Sequence, residues 1–187
     1  MEPPRLRVMD AGDVTAVMEI ERGSFAAGWP RTAFARELSG NAMARYIVLE
    51  APAPAQDGPR RLIGFGGIWL MLDEAHVVTV AVAPEFRRKG FGRMIVHGLV
   101  ELARTHGMSV ATLECRVSNE AARTLYGDYG FYEVGRRVHY YADNGEDAVI
   151  MTTERLFSEP YVERLGRLEA KLRTIVPGAT PGVSGIA

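Results

Sequence analysis

The chain has 187 residues, 47% of them hydrophobic and 24% charged, with a formal net charge of −1. That length supports one substantial core with a terminal extension, and the near-zero charge argues against nonspecific nucleic-acid binding. A single cysteine excludes an intramolecular disulfide framework, no Cys/His cluster has metal-ligand spacing, and neither a signal-peptide pattern nor an apolar run near the ~20 residues of a membrane span is present, so a cytoplasmic protein with no metal, nucleic-acid or membrane partner is expected.

In chain order, Arg5 to Met9 reads as a strand, and Asp13 to Arg22 as a helix through Val14, Val17, Met18 and Ile20. Trp29-Pro30 marks a break and restart, since proline suits a first helical turn and Phe34 and Leu38 follow one turn apart. Ala44 to Glu50 and Leu62 to Leu72 are expected strands joined by the connector Ala51 to Pro59, too rich in proline to pair and expected to be a mobile hairpin loop. Val77 to Val82 forms a central apolar strand that breaks at Ala83-Pro84. A helix then runs from Gly90 to about Thr105, with Ile95, Leu99 and Leu102 on its buried stripe and Gly107 as its stop.

Farther along, Ser109 to Val117 alternates, so Thr112, Glu114 and Arg116 share one face and Ala111, Leu113, Cys115 and Val117 the other. Ser118-Asn119 caps a short helix that stops near Gly130. Phe131 to Tyr141 and Ala148 to Glu154 are expected strands about the turn Asp143-Asn144-Gly145. Tyr161, Leu165, Leu168 and Leu172 predict an extra amphipathic helix over 156–175, either packed on its own domain or used for a partner or self-association. Pro, Gly, Ser and Ala dominate 176–187, which is expected to be a disordered tail.

The loop Arg87-Arg88-Lys89-Gly90-Phe91-Gly92 has the chemistry of an anion cradle. Glycines permit a sharp turn that presents consecutive N–H groups, the next helix adds its positive end, and three cations stand beside it. It is not a Walker A loop, and the third glycine of a dinucleotide fingerprint is replaced by Ile95. The remaining pattern, R-x-x-G-x-G opening a helix, resembles the coenzyme A pyrophosphate loop of the GNAT acetyltransferase superfamily. Leu113-Glu114-Cys115-Arg116-Val117-Ser118-Asn119, Ala122, Leu125-Tyr126 and Gly130-Phe131 resemble the corresponding block of RimI-type N-terminal acetyltransferases, and the likeness runs from about Asp10 to Arg155.

The resemblance implies an α/β fold with a central mixed, mostly antiparallel sheet flanked by helices, occupying 1–155. It implies acetyl-CoA as cosubstrate, held by Val80, Ala81, Val82, the loop Arg87, Arg88, Lys89, Gly90, Phe91, Gly92 and Arg93, Asn119 and Tyr126. It further implies transfer to the N-terminal alanine of the eighteenth small-subunit ribosomal protein, and in some relatives to other N-termini, with Phe25, Trp29, Tyr140 and Tyr141 walling the substrate's first residues.

Acetyl transfer needs a neutral amine and a proton for the departing thiolate. Glu114, an acid in an otherwise apolar strand, is the candidate base, the alternative being a pairing with Arg116 or Arg136. Tyr126 is the candidate acid, the alternative being a core anchor. Asn119 has an alternative as a helix cap. Cys115 alternates away from Glu114 and is read as a small buried hydrophobe; His76, His97, His106 and His139 are scattered and receive no catalytic role. Two other functions stay open: acetylation of a small-molecule amine, and non-catalytic acyl-CoA binding with a partner on the Leu165-Leu168-Leu172 face.

Overall fold

The computed structural model describes residues 2–25, 31–52 and 60–186. Strand β1 (Arg5–Val8) leads through a 3-10 turn into helices α1 (Val14–Arg22) and α2 (Arg31–Gly40). Strands β2 (Ala44–Ala51), β3 (Arg61–Met71) and β4 (Glu74–Val82) follow, then α3 (Phe91–Thr105), β5 (Val110–Arg116), α4 (Glu120–Asp128), β6 (Phe131–Arg137) and β7 (Ala148–Thr153). To this point the element order is the expected one. The Trp29-Pro30 break and all but the first two residues of the proline-rich connector lie outside the described residues.

The described strands form one mixed sheet in the order β6-β7-β5-β4-β3-β2-β1 and then a last strand, β8 (Thr180–Ser184). One face carries α3 and a core of Ile95, Leu99, Leu113 and Cys115; the other carries α1 and α2 with Val17, Phe34, Tyr46 and Phe65. Helix α3 can lie close because β3 offers glycine where it crosses. A Cβ on Gly66 would stand 2.7 Å from Ile95 Cγ2 and 2.9 Å from Leu99 Cδ1, tighter than packed carbons tolerate.

The pairing that matters for function is a partial one. Strands β4 and β5 are parallel neighbours only from Glu74↔Val110 to Val77↔Leu113, although both continue, to Val82 and Arg116. At the same place the β3–β4 register slips between Gly67↔Thr79 and Ile68↔Val77, a bulge that takes Val78 out of the ladder and turns the strand. Beyond it β4 still pairs with β3, and β5 with β7, so the two strands part and leave the β5-facing edge of β4 without a strand neighbour.

Two expectations change, and a third that was left open is decided. Strand β6 ends at Arg137, and 138–147 is a loop, because His139 adopts a positive φ of 52° and its N–H turns to Asp147 Oδ1 at 2.9 Å. The sequence expected for a disordered tail contains β8, which pairs parallel with β1 and adds Ser184 Oγ donating to the Leu6 carbonyl at 3.1 Å. The C-terminal helix, α5 (Glu159–Ile175), turns its stripe inward: Tyr161, Leu165 and Leu172 are buried in the main core and the Tyr161 hydroxyl donates to the Tyr129 carbonyl at 2.9 Å. Leu168 of the same stripe is partly buried against that core.

The N-terminal strand is locked by charge. Arg7 donates to both oxygens of Asp13 at 2.6 and 2.7 Å and to Glu50 Oε1 at 2.8 Å, while Arg5 takes Glu50 Oε2 at 2.9 Å. Burial pulls both carboxyls upward, but the arginine hydrogen bonds win and hold each below its ordinary value. Carboxylates depressed in the folded state contribute stability above their ordinary range, and that contribution fades as pH falls through the depressed values. Arg7→Ala, which leaves two buried carboxylates poorly compensated, is expected to cost about 3 kcal/mol at neutral pH and much less at pH 2, measured by urea unfolding at both.

Candidate active site

Where β4 and β5 part, a cleft of about 760 Å³ opens through the sheet. Its lining includes Val77–Val80 of β4, Leu113–Arg116 of β5, Asn119 and Tyr126 of the α4 region, Phe25 after α1, and Tyr140 and Tyr141 of the loop after β6. Strand alternation assigns the two sides. Leu113 and Cys115 belong to the α3 face with Tyr126 packed beside them, whereas Glu114 projects to the opposite face with Thr112 and Arg116.

Glu114 is held by two partners, His76 and Arg137, that sequence spacing did not single out. His76 Nε2 lies 3.0 Å from Oε2, and Arg137 Nε donates to Oε1 at 2.9 Å. The His76 hydrogen bond, aided by Arg137, outweighs burial and lowers the Glu114 carboxyl below its ordinary range. Arg116, one of the two partners expected for it, instead grips Asp143 at 2.8 Å to both oxygens and Glu146 at 3.1 Å; Arg136, the other, pairs with Glu133.

A line of hydrogen bonds runs back from Glu114. Thr112 Oγ1 donates to Glu74 Oε1 at 2.5 Å, so the same oxygen must accept from His76 Nδ1, 3.1 Å away. His76, assigned no role from sequence, thus stands directly behind the candidate base. The available signal was its position as the polar residue in the run Ala75-His76-Val77-Val78, one strand from Thr112.

Tyr126 is half-buried against Phe131, with ring centroids 5.7 Å apart, and its hydroxyl has no hydrogen-bond partner among the described residues. Burial pushes the phenol up, so it stays protonated through the neutral range. Cys115 is buried and its thiol is pushed up to about 11, also by burial, which leaves it a poor nucleophile.

The expected substrate wall is partly in place. Tyr140 and Tyr141 line the cleft edge to face, centroids 5.2 Å apart, and the Arg116 guanidinium lies 3.8 Å from the Tyr141 ring centroid. Phe25 borders the same cleft and is exposed; Trp29 lies outside the described residues.

The expected coenzyme residues divide. Of Val80, Ala81 and Val82, only Val80 borders the cleft; Ala81 is buried in the α1/α2 core, and Val82 ends the strand. Gly90, at φ 88°, is the N-cap of α3, and the first helical bond there is Met94 N–H to the Gly90 carbonyl at 3.1 Å. The N–H groups of Phe91, Gly92 and Arg93 therefore have no intrahelical partner, as an anion site requires. The cations beside them are mostly committed. Arg87 donates to the carbonyls of Val82 and Gly23 and to Ser24 Oγ, Lys89 to the Glu85 carbonyl, and Arg93 pairs with Asp128 at 2.5 Å. Among the described residues Arg88 alone of the four has no such partner. Asn119 lines the cleft, but its Oδ1 accepts from Ala122 N–H at 3.1 Å, the helix-cap alternative.

The open β4 edge and the unpaired first turn of α3 suit an extended, amide-bearing ligand that ends in a diphosphate. Among the described residues no group of His, Cys, Asp or Glu could hold a metal ion, and no helix is long and apolar enough to cross a membrane.

Comparison with known proteins gives the same direction. The profile of the acetyltransferase (GNAT) family matches residues 14–131. A Bacillus subtilis protein provisionally named ribosomal protein bS18-alanine N-acetyltransferase is 39% identical over 146 residues, 78% of this chain and 92% of its own length. The Salmonella typhimurium ribosomal protein bS18-alanine N-acetyltransferase is 35% identical over 148 residues, 78% of this chain and 94% of its own. The crystal structure of the Escherichia coli ribosomal-protein-S18-alanine N-acetyltransferase superposes with a TM-score of 0.69 at 30% identity, covering 80% of this chain and 92% of that one.

Replacing His76 with glutamine removes the main group that depresses Glu114. The Glu114 carboxyl is then expected to titrate at higher pH than in the parent protein, followed by side-chain carboxyl NMR, with Glu114→Gln identifying the resonance.

Proposed function

From the premise that this chain belongs to the acetyltransferase (GNAT) family and is an acetyl-CoA-dependent N-acetyltransferase, we propose that it acetylates the α-amine of the N-terminal alanine of ribosomal protein bS18, and of other N-termini that reach the same site. The observation that carries this reading is the opening between β4 and β5, with a carboxylate on one face and a phenol on the other. The enzyme works in the cytoplasm, where that substrate is made.

Acetyl-CoA supplies the acetyl group as a thioester. Residues of the chain do the rest. The first-turn N–H groups of α3 hold the diphosphate, and the open edge at Val80 takes the amide-bearing arm. Tyr140 and Tyr141 confine an extended chain end to one approach toward Glu114.

Glu114 accepts a proton from the attacking nitrogen, directly or through one water. Its depressed pKa makes it a weak base toward a free ammonium, whose reference value is near ~8. A nitrogen that has begun to bond the acetyl carbon is a far stronger acid, and a weak, fully ionised base suffices for it. His76 and Arg137 keep that carboxylate ionised and aimed. The Tyr126 hydroxyl, kept protonated by its raised pKa, stabilises the departing sulfur by donating a hydrogen bond to it as charge develops, and the thiolate takes its proton from solvent.

Glu114→Gln and Tyr126→Phe are each expected to lower kcat by about 100-fold or more, with coenzyme affinity nearly unchanged. Raising the pH partly rescues Glu114→Gln, since more of the amine is neutral unaided. A peptide beginning Ala-Arg-Tyr is expected to gain one acetyl group on its α-amine, read by mass spectrometry, and blocking that amine stops the reaction. Faster turnover of free polyamines or of lysine side chains would replace this reading with acetylation of small amines.

A further inference from the structure

The chain beyond β7 lies outside the matched family span of 14–131, yet it ends against the coenzyme loop. Helix α5 stops at Ile175, and a Cβ on Gly90 would stand 2.6 Å from Ile175 Cγ2 and 3.0 Å from Val176 Cγ2. Val176 is buried, and the backbone turns there, Val176 N–H bonding to the Leu172 carbonyl at 2.8 Å and Ala179 N–H to the Val176 carbonyl at 3.0 Å. Strand β8 then anchors the segment to β1, and its Val183 reaches α3 at Gly98, where a Cβ would stand 3.2 Å from Val183 Cγ2. The extension therefore contacts α3 at its first turn and again along its length.

That placement bears on binding. The first-turn N–H groups of α3 attract an anion strongly only when they converge, and ordering a glycine turn during binding subtracts from affinity. Gly90 sits at φ 88°, and Arg88, two residues earlier, adopts φ 63°, a conformation uncommon for a non-glycine residue. Two branched side chains, those of Ile175 and Val176, are packed over Gly90.

We propose that Ile175 and Val176 are positioning residues for the coenzyme: by backing the Gly90 turn they hold the diphosphate-binding N–H groups of α3 in the binding arrangement, so that the C-terminal extension sets coenzyme affinity. The proposal rests on the reading of Arg87 to Gly92 as the coenzyme loop. It predicts an effect on coenzyme alone, because neither residue lines the peptide cleft.

The test measures coenzyme A Kd by titration calorimetry, and KM for the Ala-Arg-Tyr peptide at saturating acetyl-CoA, on the full-length chain. Ile175→Ala is expected to weaken coenzyme A binding about fivefold while peptide KM and kcat at saturation stay within about twofold. Ile175→Leu keeps the volume but shifts the branch away from Cβ, removing the methyl that faces Gly90; it is expected to give the same selective loss if the alanine variant proves unstable. Gly90→Ala loses affinity through both its positive φ and its collision with Ile175, so in the Ile175→Ala background its effect should shrink by about threefold or more. A parent-like Kd in Ile175→Ala and Ile175→Leu, or additive losses in the double variant, overturns the proposal. Gly92→Trp is the control: parent-like coenzyme affinity there removes the loop from the site and takes the proposal with it, whereas abolished binding with a parent-like Ile175→Leu overturns the brace alone.

Discussion

The parting of β4 from β5 after Val77 and Leu113 is the constraint on which the site depends. A continuous ladder would satisfy every backbone group of both strands and leave no way through the sheet. The bulge at Val78 ends that pairing while β3 and β7 keep their hold on the two strands, so the opening is lined by rigid elements. Because neighbouring residues of a strand face opposite ways, one opening presents two different faces. Glu114 projects toward the Tyr140–Tyr141 wall, and Cys115 lies one residue away on the side of α3 and Tyr126.

Electrostatics then divide the labour between those faces. Glu114, His76, Thr112 and Glu74 form one hydrogen-bonded line across β4 and β5. The carboxylate at the end of the line is ionised and oriented, at the cost of basicity. Tyr126, with little around it but apolar surface, is shifted the opposite way and keeps its proton. Two groups whose surroundings drive them apart in this fashion suit opposite roles in one transfer.

Much of the chain serves α3. Glycine on β3 brings it against the sheet, Tyr129 Oη donates to the Arg93 carbonyl at 2.9 Å, and the extension meets it at Gly90 and Gly98. The Gly90 turn at its start is thus packed from outside the family's matched span.

What the sequence by itself determined was local. Alternation in Thr112, Glu114 and Arg116, the helical stripe through Ile95, Leu99 and Leu102, and the glycine turns at Gly90, Gly107 and Gly130 each depend on near neighbours, and each stands in the structure, the three glycines at positive φ. The block from Leu113 to Phe131 likewise carried the family. Tertiary structure decided what depends on distant partners. Which arginine meets Glu114, and that His76 stands behind it, follow from strand register across the β4–β5, β5–β7 and β6–β7 pairs, which spacing along the chain does not encode. Composition likewise misread the end of the chain. Thr180 to Ser184 has too few apolar side chains to fold locally, yet it becomes a strand because β1 offers it an open edge and Val183 a place against α3.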